Sequence, residues 1–564
     1  MNNRSVSVEE SLLFVLAAVA VVVLVRWIAD RTGLPAAALL PVIGIGYALL
    51  PGPNVSLDPE IILTFVIPPL LYSAALSSSL IAIRRNLRTV VSLSVILVLL
   101  TALVIGVGFM WFVAGATLAA GIALGAAVAP PDPVAALAIG RKVGLPPRLT
   151  TIVQGEGLLN DATALTILAV AVSAATGDGF SAPSAFGKFL FAAAGGVAVG
   201  AAVAYLVRLL SRPLGGDPLI ANAVSLATPF GAYLLAEEAH ASGVLAVVVA
   251  GLIIGHHRPR SASGASRLQT SAVWRLVDFM LEGFVFLLIG QQLPAVVRGL
   301  AKYDGSTIMA AVAISVGVVL LLRPLWLLLT QSLPRSLHTR LGGDPDGDDP
   351  AAARRRGRFA DRLSGREVVV LSWAGTRGVI SLAAIFTLPL VTDSGAPFPD
   401  RDLLLFCAFV VVLVTLVGQG LTFAPLVRAL GLRANEADQA RLRNEARSAS
   451  VEAALERLDE IADEDDEEEE EEEVDPHAVE AMRALLRARL SRYQGRLDLL
   501  NSSDSPDLPV SPRYEAALRV RRSVIEAQRE ELLRWRDAGQ LPDEGLRVLE
   551  RELDHEERLL PDRP

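Results

Sequence analysis

The 564-residue sequence has one cysteine, Cys407, and only six histidines. A single cysteine excludes a disulfide within the chain, and the apolar run around Cys407 is typical of a buried thiol. The sequence also lacks a Cys/His cluster spaced for a metal, a Gly-Lys phosphate-binding loop and a nucleophile–base pair. We therefore expect no cofactor, no nucleic-acid partner and no enzymatic activity.

Charged residues are scarce in several long stretches of the chain. Hydrophobic residues make up 52% of the sequence, and they fall in blocks such as Leu12–Ala29, Val90–Val113 and Ala310–Thr330. A helix of roughly 20 residues crosses the apolar core of a bilayer, and blocks of this length match it. The blocks exclude a water-soluble protein and predict an all-α polytopic membrane protein.

The apolar runs, bounded by charges or by Gly/Pro loops, predict thirteen membrane spans. Their approximate extents are 11–28, 34–51, 60–80, 89–113, 116–139, 150–174, 185–209, 219–239, 242–256, 272–294, 306–332, 366–390 and 402–428. On this count, alternate loops carry 22 basic residues on one side of the membrane and five on the other. Because cytoplasmic loops are the basic ones, the N-terminus is predicted outside a plasma membrane and the C-terminal tail in the cytoplasm.

Two of the predicted spans are interrupted near their centres. The fifth contains Pro130-Pro131-Asp132-Pro133, and the twelfth contains Gly375-Thr376-Arg377-Gly378. Proline removes a backbone donor, and irregular backbone at membrane depth survives only where it is buried or lines a cavity. If spans 1–6 and 8–13 form two inverted six-helix repeats, the interruptions are equivalent, as in transporters that bind substrate at broken helices.

The C-terminal part differs sharply in charge from the rest. Residues 1–432 carry a formal charge of +6, whereas residues 433–564 carry −15. We interpret the first part as the membrane domain and the second as an acidic cytosolic tail with helices at about 435–462, 477–500 and 512–537. Eleven consecutive carboxylates from Asp463 to Glu473 repel one another, and they predict a disordered acidic linker over 463–476.

Six charged residues lie within predicted spans: Asp132, Glu156, Asp161, Glu282, Arg323 and Arg377. On insertion scales each charge at the centre of a membrane helix costs about 2.5–3.5 kcal/mol. One such residue alone would be interpreted as a structural ion pair. Six of them together favour an ion pathway.

The segment Gln154–Ala164 holds the densest group of these polar residues. Glu156 and Asn160 are four residues apart and share a helix face, and Asp161 is rotated by about 100° from Asn160. A carboxylate in a dry cavity binds either a proton or a small cation at neutral pH, since desolvation disfavours the bare charge. Sodium prefers several oxygen ligands, by analogy with calcium and magnesium. Asp161, Asp132, the hydroxyl of Thr163 and the unwound carbonyls near Pro131 are the candidates for the transported ion.

The segment GEGLLNDATA (155–164) resembles the G-E-S-L-x-N-D-[GA]-T-A motif of the monovalent cation:proton antiporters, family one, the type with an Asn-Asp pair. The likeness extends in order and spacing over about 420 residues. It includes PPLLYSAAL (68–76), PPDPVAA (130–136), AYLLAEEAHASGVLAVVVAGLIIG (232–255), FVFLLIGQQL (284–293) and SWAGTRGVISLAAIFTLP (372–389). The membrane part is similar to a bacterial Na⁺/H⁺ antiporter.

The resemblance implies a homodimer of thirteen-helix protomers, each with a mobile six-helix core domain. Asp161 would bind proton and cation alternately, Asn160 would orient the site, and Asp132 would lie where the broken helices cross. The resemblance further implies an ion pair of Glu156 with Arg323, and neutralisation by Arg377 of the charges at the twelfth-helix break. Relatives with Asp in place of Asn160 are electrogenic, so the Asn implies electroneutral exchange.

Three positions differ from archaeal relatives. Where those relatives have a Glu in the third helix, this chain has Ser73, and where they have a Ser, it has Gly157. Where they usually have Thr-Asp-Pro, this chain has Pro131-Asp132-Pro133. The first two differences remove a carboxylate and a hydroxyl from the implied cation site. Glu282 is the candidate accessory residue that compensates for Ser73, and Asp278 is expected at the membrane interface.

The hypothesis from sequence is therefore a secondary antiporter that exchanges cytoplasmic Na⁺, with Li⁺ or K⁺ as alternatives, for external H⁺. Proton and cation would compete for Asp161, and alternating access would expose that carboxylate to each side in turn. Two other functions fit the same ancestry, namely a cation channel and a non-transporting sensor of cations or pH. Both would share the fold and bind the ions.

Overall fold

A computed structural model shows the chain to be helical. The described residues are 8–32, 36–49, 62–133, 136–137, 140, 143–177, 182–211, 217–261, 264–332, 363–432, 436–467, 475–502, 512–538 and 540–558. Among them, the only pairing of β type is one isolated bridge between Val391 and Pro397. The prediction of an all-α fold is confirmed. Contacts between residues divide the chain into two compact units, Met1–Arg433 and Ala434–Pro564.

The first unit contains α-helices that coincide with the predicted apolar runs. They are α1 (Val8–Thr32), α2 (Ala36–Ala48), α3 (Ile67–Leu76), α4 (Leu80–Arg85), α5 (Leu87–Val91), α6 (Leu97–Phe112), α7 (Leu118–Val128), α8 (Pro147–Thr176), α9 (Ala182–Ser211), α10 (Pro218–Glu238), α11 (Gly243–Ser261), α12 (Gly264–Gly299), α13 (Gly305–Ser332), α14 (Gly365–Trp373), α15 (Val379–Phe386), α16 (Arg401–Leu413) and α17 (Gly420–Ala429). Three π-helical turns, Ile62–Val66, Ser92–Ile96 and Val414–Gln419, precede α3, α6 and α17.

Within the described residues, six helical segments are long and apolar enough to cross a membrane. They are Leu87–Phe112, Pro147–Thr176, Leu190–Leu210, Pro218–Glu238, Gly305–Thr330 and Arg401–Ala429. Shorter apolar helices are Leu39–Ala48, Thr64–Leu76, Leu118–Val128 and Gly243–Arg258. Many apolar helices thus agree with a multi-pass membrane protein, whereas the count of thirteen spans stays a prediction.

Glycines allow the helices next to the interrupted segments to approach closely. A Cβ added at Gly290 of α12 would overlap the carbonyl oxygen of Pro41 in α2. A Cβ at Gly125 of α7 would lie 2.6 Å from the Cα of Ala102 in α6. Such small-residue contacts are how membrane helices gain packing without a hydrophobic driving force. They hold α7 and α12 tightly against their neighbours.

The second unit consists of charged helices. They are α18 (Glu436–Glu467), α19 (Pro476–Asn501), α20 (Pro512–Asp537) and α21 (Asp543–Arg558). The predicted linker over 463–476 is wrong at both ends, because α18 continues to Glu467 and α19 begins at Pro476. Glutamate is a good helix former, so an established helix can propagate into a run of acids. Residues 468–474 lie outside the described part.

Candidate cation-binding site

A short non-helical segment lies between α14 and α15, at the sequence where the twelfth span is predicted to be interrupted. Helix α14 ends at Trp373, α15 begins at Val379, and residues 374–378 are not helical. All five of these residues are buried. Their backbone therefore needs hydrogen-bond partners from other parts of the protein, since lipid provides none.

The fifth predicted span is also irregular at its proline-rich sequence. Helix α7 ends at Val128, and residues 129–132 are not helical. Consecutive prolines at 130 and 131 lack the backbone N–H that would continue the ladder, which explains the end of the helix. Helical geometry resumes at Pro133, and several residues that follow lie outside the described part.

These two irregular segments meet at Asp132 and Thr376. The backbone N–H of Asp132 donates a 2.6 Å hydrogen bond to the carbonyl oxygen of Thr376. The hydroxyl of Thr376 donates back to the carbonyl oxygen of Asp132 at 3.1 Å. The segments are thus joined by a reciprocal pair of hydrogen bonds across 244 positions of sequence.

Arg377 binds the carbonyl groups left without partners where α7 ends. Its Nε donates to the carbonyl oxygen of Val128 at 2.9 Å and its Nη2 to that of Ala129 at 3.0 Å. Its Nη1 donates to the carbonyl oxygen of Gly375. The last carbonyls of a helix carry a partial negative charge, so a buried guanidinium is well placed to balance them. The backbone N–H of Arg377 is itself bonded to the hydroxyl of Thr415 at 3.0 Å.

Helix α8 brings Asn160 and Asp161 against the same crossing. Asn160 is fully buried, and its Nδ2 donates a 3.0 Å hydrogen bond to the carbonyl oxygen of Pro131. The Oδ1 of Asn160 is buried and has no hydrogen-bond partner among the described residues. An unpartnered buried oxygen beside unwound backbone is the kind of ligand that a desolvated cation requires.

Asp161 is the buried carboxylate that the sequence singles out, and it is only 5% exposed. No described residue donates a hydrogen bond to this carboxylate or forms an ion pair with it. Its charge interacts with that of Asp132. A buried carboxylate beside a second acid favours the binding of a proton or a metal cation, because either one offsets the charge.

Thr163 and Gly378 complete the immediate surroundings of these acids. The Thr163 hydroxyl donates to the carbonyl oxygen of Leu159 at 3.0 Å, which leaves lone pairs of its oxygen available as an acceptor. A Cβ added at Gly378 would overlap Oδ2 of Asp132, so this carboxylate lies directly against the irregular backbone before α15. Among the described residues, no group of three or more His, Cys, Asp and Glu side chains forms a metal cluster.

Glu156 and Arg323 form a bidentate ion pair one turn from Asn160. Arg323 Nη2 lies 2.8 Å from Glu156 Oε2, and Nη1 contacts Oε1. Arg323 Nε also donates to the carbonyl oxygen of Leu371 in α14 at 3.0 Å. Both side chains are at most 3% exposed. The pair therefore ties α8, α13 and α14 together.

Ser73, where archaeal relatives carry a Glu, contacts a carboxylate from another helix. Its hydroxyl donates a 2.6 Å hydrogen bond to Oδ2 of Asp278 in α12, and Oδ1 of Asp278 is buried. Glu282 lies one turn further along α12, and its charge interacts with those of Asp278 and Asp132. Asp278, rather than Glu282, is therefore the acid that contacts Ser73, and its position at the membrane interface stays a prediction.

Gly157 is also explained by its neighbour. A Cβ at this position would lie 2.6 Å from Cδ of Pro133, closer than real side-chain contacts allow. The space that a Ser side chain occupies in archaeal relatives is thus taken here by the ring of Pro133. Sequence reasoning also missed Thr376 and Thr415, although Thr376 stands inside the GTRG segment that predicted the interruption.

A charged and buried site at irregular helix segments within an apolar helical unit is typical of secondary transporters. Comparison with known proteins agrees with this class. A family model described as "Sodium/hydrogen exchanger, transmembrane" matches residues 18–429. The chain therefore belongs to the sodium/hydrogen exchanger family, a family of transporters that exchange cations for protons.

Relatives and a solved structure support the same assignment. The chain is 34% identical to an uncharacterized Na⁺/H⁺ exchanger of Mycobacterium tuberculosis, over 100% of this chain and 99% of that protein. It is 31% identical to the Na⁺/H⁺ antiporter ApNhaP of Aphanothece halophytica, over 75% and 74% of the two chains. Its fold is similar to that of the sodium proton antiporter MjNhaP1 from Methanocaldococcus jannaschii, with a TM-score of 0.58, 18% identity and coverage of 74% and 98%.

Proposed function

We propose that this protein exchanges cytoplasmic Na⁺ for external H⁺, and that both ions bind in turn to Asp161. The observation that carries the proposal is a membrane carboxylate, 5% exposed, with no ion pair or hydrogen bond from the described residues. Such a group is costly when bare and charged, so it holds a proton or a cation at every stage of the cycle.

The other site residues have separate roles in this proposal. Asp132, the Thr163 hydroxyl and the Pro131 carbonyl supply further oxygen ligands to the transported ion. Asn160 orients the site through its hydrogen bond to Pro131. These oxygens suit Na⁺ and the neighbouring alkali cations alike, so Li⁺ and K⁺ are alternative substrates.

Three charged side chains support this binding set. The ion pair of Glu156 with Arg323 fixes the helix that carries Asp161. Arg377 balances the carbonyl dipoles at the two interruptions. Glu282 is the accessory acid that adds negative potential beside Asp132 and compensates for the absence of an acid at Ser73.

Exchange is proposed to be electroneutral. The residue beside Asp161 is an asparagine, whose side chain is neutral and bonded to a backbone carbonyl. One carboxylate that gives up one proton for one monovalent cation carries the same charge in both loaded states. No net charge then crosses the membrane in a full cycle.

The transport cycle is proposed to be alternating access, in which a six-helix core domain moves and exposes Asp161 to each side. The whole membrane domain is built from two inverted six-helix repeats, spans 1–6 and 8–13, and the protein is a homodimer. It lies in the plasma membrane with the N-terminus outside. The acidic tail, residues 433–564, is in the cytoplasm.

Everted membrane vesicles with a pH-sensitive dye test the function. Addition of Na⁺ to vesicles with the parent protein is expected to release the proton gradient, and Asp161→Asn is expected to abolish this response. Asp304→Asn, at an exposed residue before α13, is the matched control and should retain it. Parallel additions of Li⁺ and K⁺ rank the cations. Parent-like exchange by Asp161→Asn would refute the proposal.

A cation channel is a second function that fits the same fold and acids. In proteoliposomes a channel would pass a current that reverses at the Nernst potential of the cation. Electroneutral exchange would move protons without current and would be insensitive to a clamped membrane potential. A sensor, the third candidate, would bind cations and move none.

A further inference from the structure

The irregular segment between α14 and α15 contacts Asp132 in two ways. Thr376 forms hydrogen bonds with its backbone, and Gly378, which has no side chain, leaves space for its carboxylate. We propose that Thr376 and Gly378 are positioning residues that hold the Asp132 carboxylate in place for cation binding. The inference rests on the function proposed above. It assigns to these two residues a role in cation affinity.

Thr376 fixes the backbone of Asp132 from two directions. Its carbonyl accepts the Asp132 N–H at 2.6 Å, and its hydroxyl donates to the Asp132 carbonyl at 3.1 Å. The backbone N–H and the backbone carbonyl of Asp132 thus both have hydrogen-bond partners. The residue that provides them is buried, since Thr376 is 2% exposed. Without the hydroxyl, the Asp132 carbonyl would lose this donor in a place from which water is largely excluded.

Gly378 leaves room for the side chain of Asp132. Its φ of −130° and ψ of −155° are extended values that any residue can adopt. Backbone conformation therefore does not require glycine here. Glycine is required here by the lack of space, because an added Cβ would overlap Oδ2 of Asp132 and lie about 2.5 Å from its Cγ. A side chain at 378 would push the carboxylate away from its present position.

Arg377 lies between these two residues and ties the same segment to α7. Its bonds to Val128 and Ala129, together with those of Thr376, fasten both interruptions into one unit. The position of the Asp132 carboxylate is therefore set by a segment about 244 residues further along the chain. Because Asp132 interacts with the charge of Asp161, a displaced Asp132 changes the cation affinity of the site.

The first test measures Na⁺/H⁺ exchange by the full-length protein in proteoliposomes as a function of Na⁺ concentration. Thr376→Val keeps the shape and removes the hydroxyl, and it is expected to raise the half-saturating Na⁺ concentration about tenfold with little change in maximal rate. Thr376→Ser restores the hydroxyl and should return to near the parent value. A purely structural defect would lower the amount of active protein, and hence the maximal rate, without this split.

Thr387→Val is the matched control, since the Thr387 hydroxyl donates to the carbonyl oxygen of Ala384 at the end of α15 and, within the described residues, to no other group. It should leave the half-saturating concentration unchanged. Gly378→Ala is expected to raise that concentration more than Thr376→Val and to alter the ratio of Na⁺ to Li⁺ affinity. Protein abundance and thermal stability in detergent are measured for each variant, so that poorly folded protein is recognised.

The positioning role is overturned if Thr376→Val binds Na⁺ with the parent half-saturating concentration, or if Thr376→Ser fails to rescue it. Either result would leave the proposed function standing, provided that Asp161→Asn is inactive. If Asp161→Asn exchanges like the parent, the proposed function fails whatever the Thr376 variants do. The two failures are therefore distinguishable in one set of measurements.

Discussion

Arg323 on α13 holds Glu156 on α8 through both terminal nitrogens of its guanidinium, across 167 positions of sequence. A third nitrogen of the same group reaches the carbonyl oxygen of Leu371 on α14. Buried pairs of this geometry satisfy the donors and acceptors of both partners. Arg323 therefore links three helices beside the segment that carries Asp161.

Arg323→Met is expected to destabilise the protein by about 3–5 kcal/mol, because it leaves the Glu156 carboxylate buried without a counter-charge. The double change Glu156→Gln with Arg323→Met should be less harmful than Arg323→Met alone, since no uncompensated charge remains. Thermal unfolding in detergent measures both. Lys302→Met, which removes an exposed ion pair with Asp402, is the control and should cost less than about 1 kcal/mol. Equal losses in the single and double variants would contradict the proposed cause.

Ser73 and Asp278 give a prediction about cation affinity. Asp278→Asn removes a negative charge next to Glu282, so the half-saturating Na⁺ concentration should rise severalfold. Ser73→Ala removes only a hydrogen-bond donor and should have a smaller effect. Flux measured against Na⁺ concentration compares these variants with Glu282→Gln. If Ser73→Ala raises the half-saturating Na⁺ concentration more than either acid replacement does, the charges of this part of α12 do not determine cation affinity.

Gly157→Ser is expected to impair the protein, although it restores the hydroxyl found in archaeal relatives. The new Cβ would collide with the ring of Pro133, which has no flexible end that can move aside. Overpacking of this kind costs about 1–3 kcal/mol. Gly231→Ser, at a helix glycine with open space around its Cα, is the control and should be tolerated. Improved transport by Gly157→Ser would show that Pro133 can shift at no cost.

Competition between proton and cation predicts a pH profile that depends on Na⁺. Exchange should fall at low pH, where protons occupy the site, and at high pH, where protons are scarce. Raising the Na⁺ concentration should move the acidic limb of the profile to lower pH, because more cation displaces the bound proton by mass action. Initial rates at several Na⁺ concentrations across the pH range measure this. A limb that stays fixed as Na⁺ rises would contradict competition.

The sequence predicted the helical class and pointed to the residues around Gly375–Gly378 as irregular, because proline, glycine and apolar length act locally. It could not reveal that Thr376 bonds to Asp132, since that contact depends on how two distant segments cross. The pairing of Glu156 with Arg323 came from a family resemblance and not from spacing. Local chemistry thus indicates which residues are unusual, and tertiary contacts decide what each one does.

Asp278 illustrates a second limit. One turn from Trp274, it looked like an interfacial residue, and nothing near it in sequence indicates Ser73, which is 205 positions away. In the acidic tail, charge repulsion predicted disorder from residue 463 onward, whereas α18 continues through the first acids of that run to Glu467. Helix α21, rich in charge, was not predicted at all.

Proton release on cation binding tests the central claim most directly. Na⁺ is added to purified protein in weakly buffered detergent solution at a pH where the site is protonated, and a pH indicator counts the protons that leave. The parent is predicted to release about one proton per chain as Na⁺ saturates it, and Asp161→Asn is predicted to release none. Release by Asp161→Asn equal to that of the parent, or Na⁺ binding by the parent without release, would contradict a shared carboxylate.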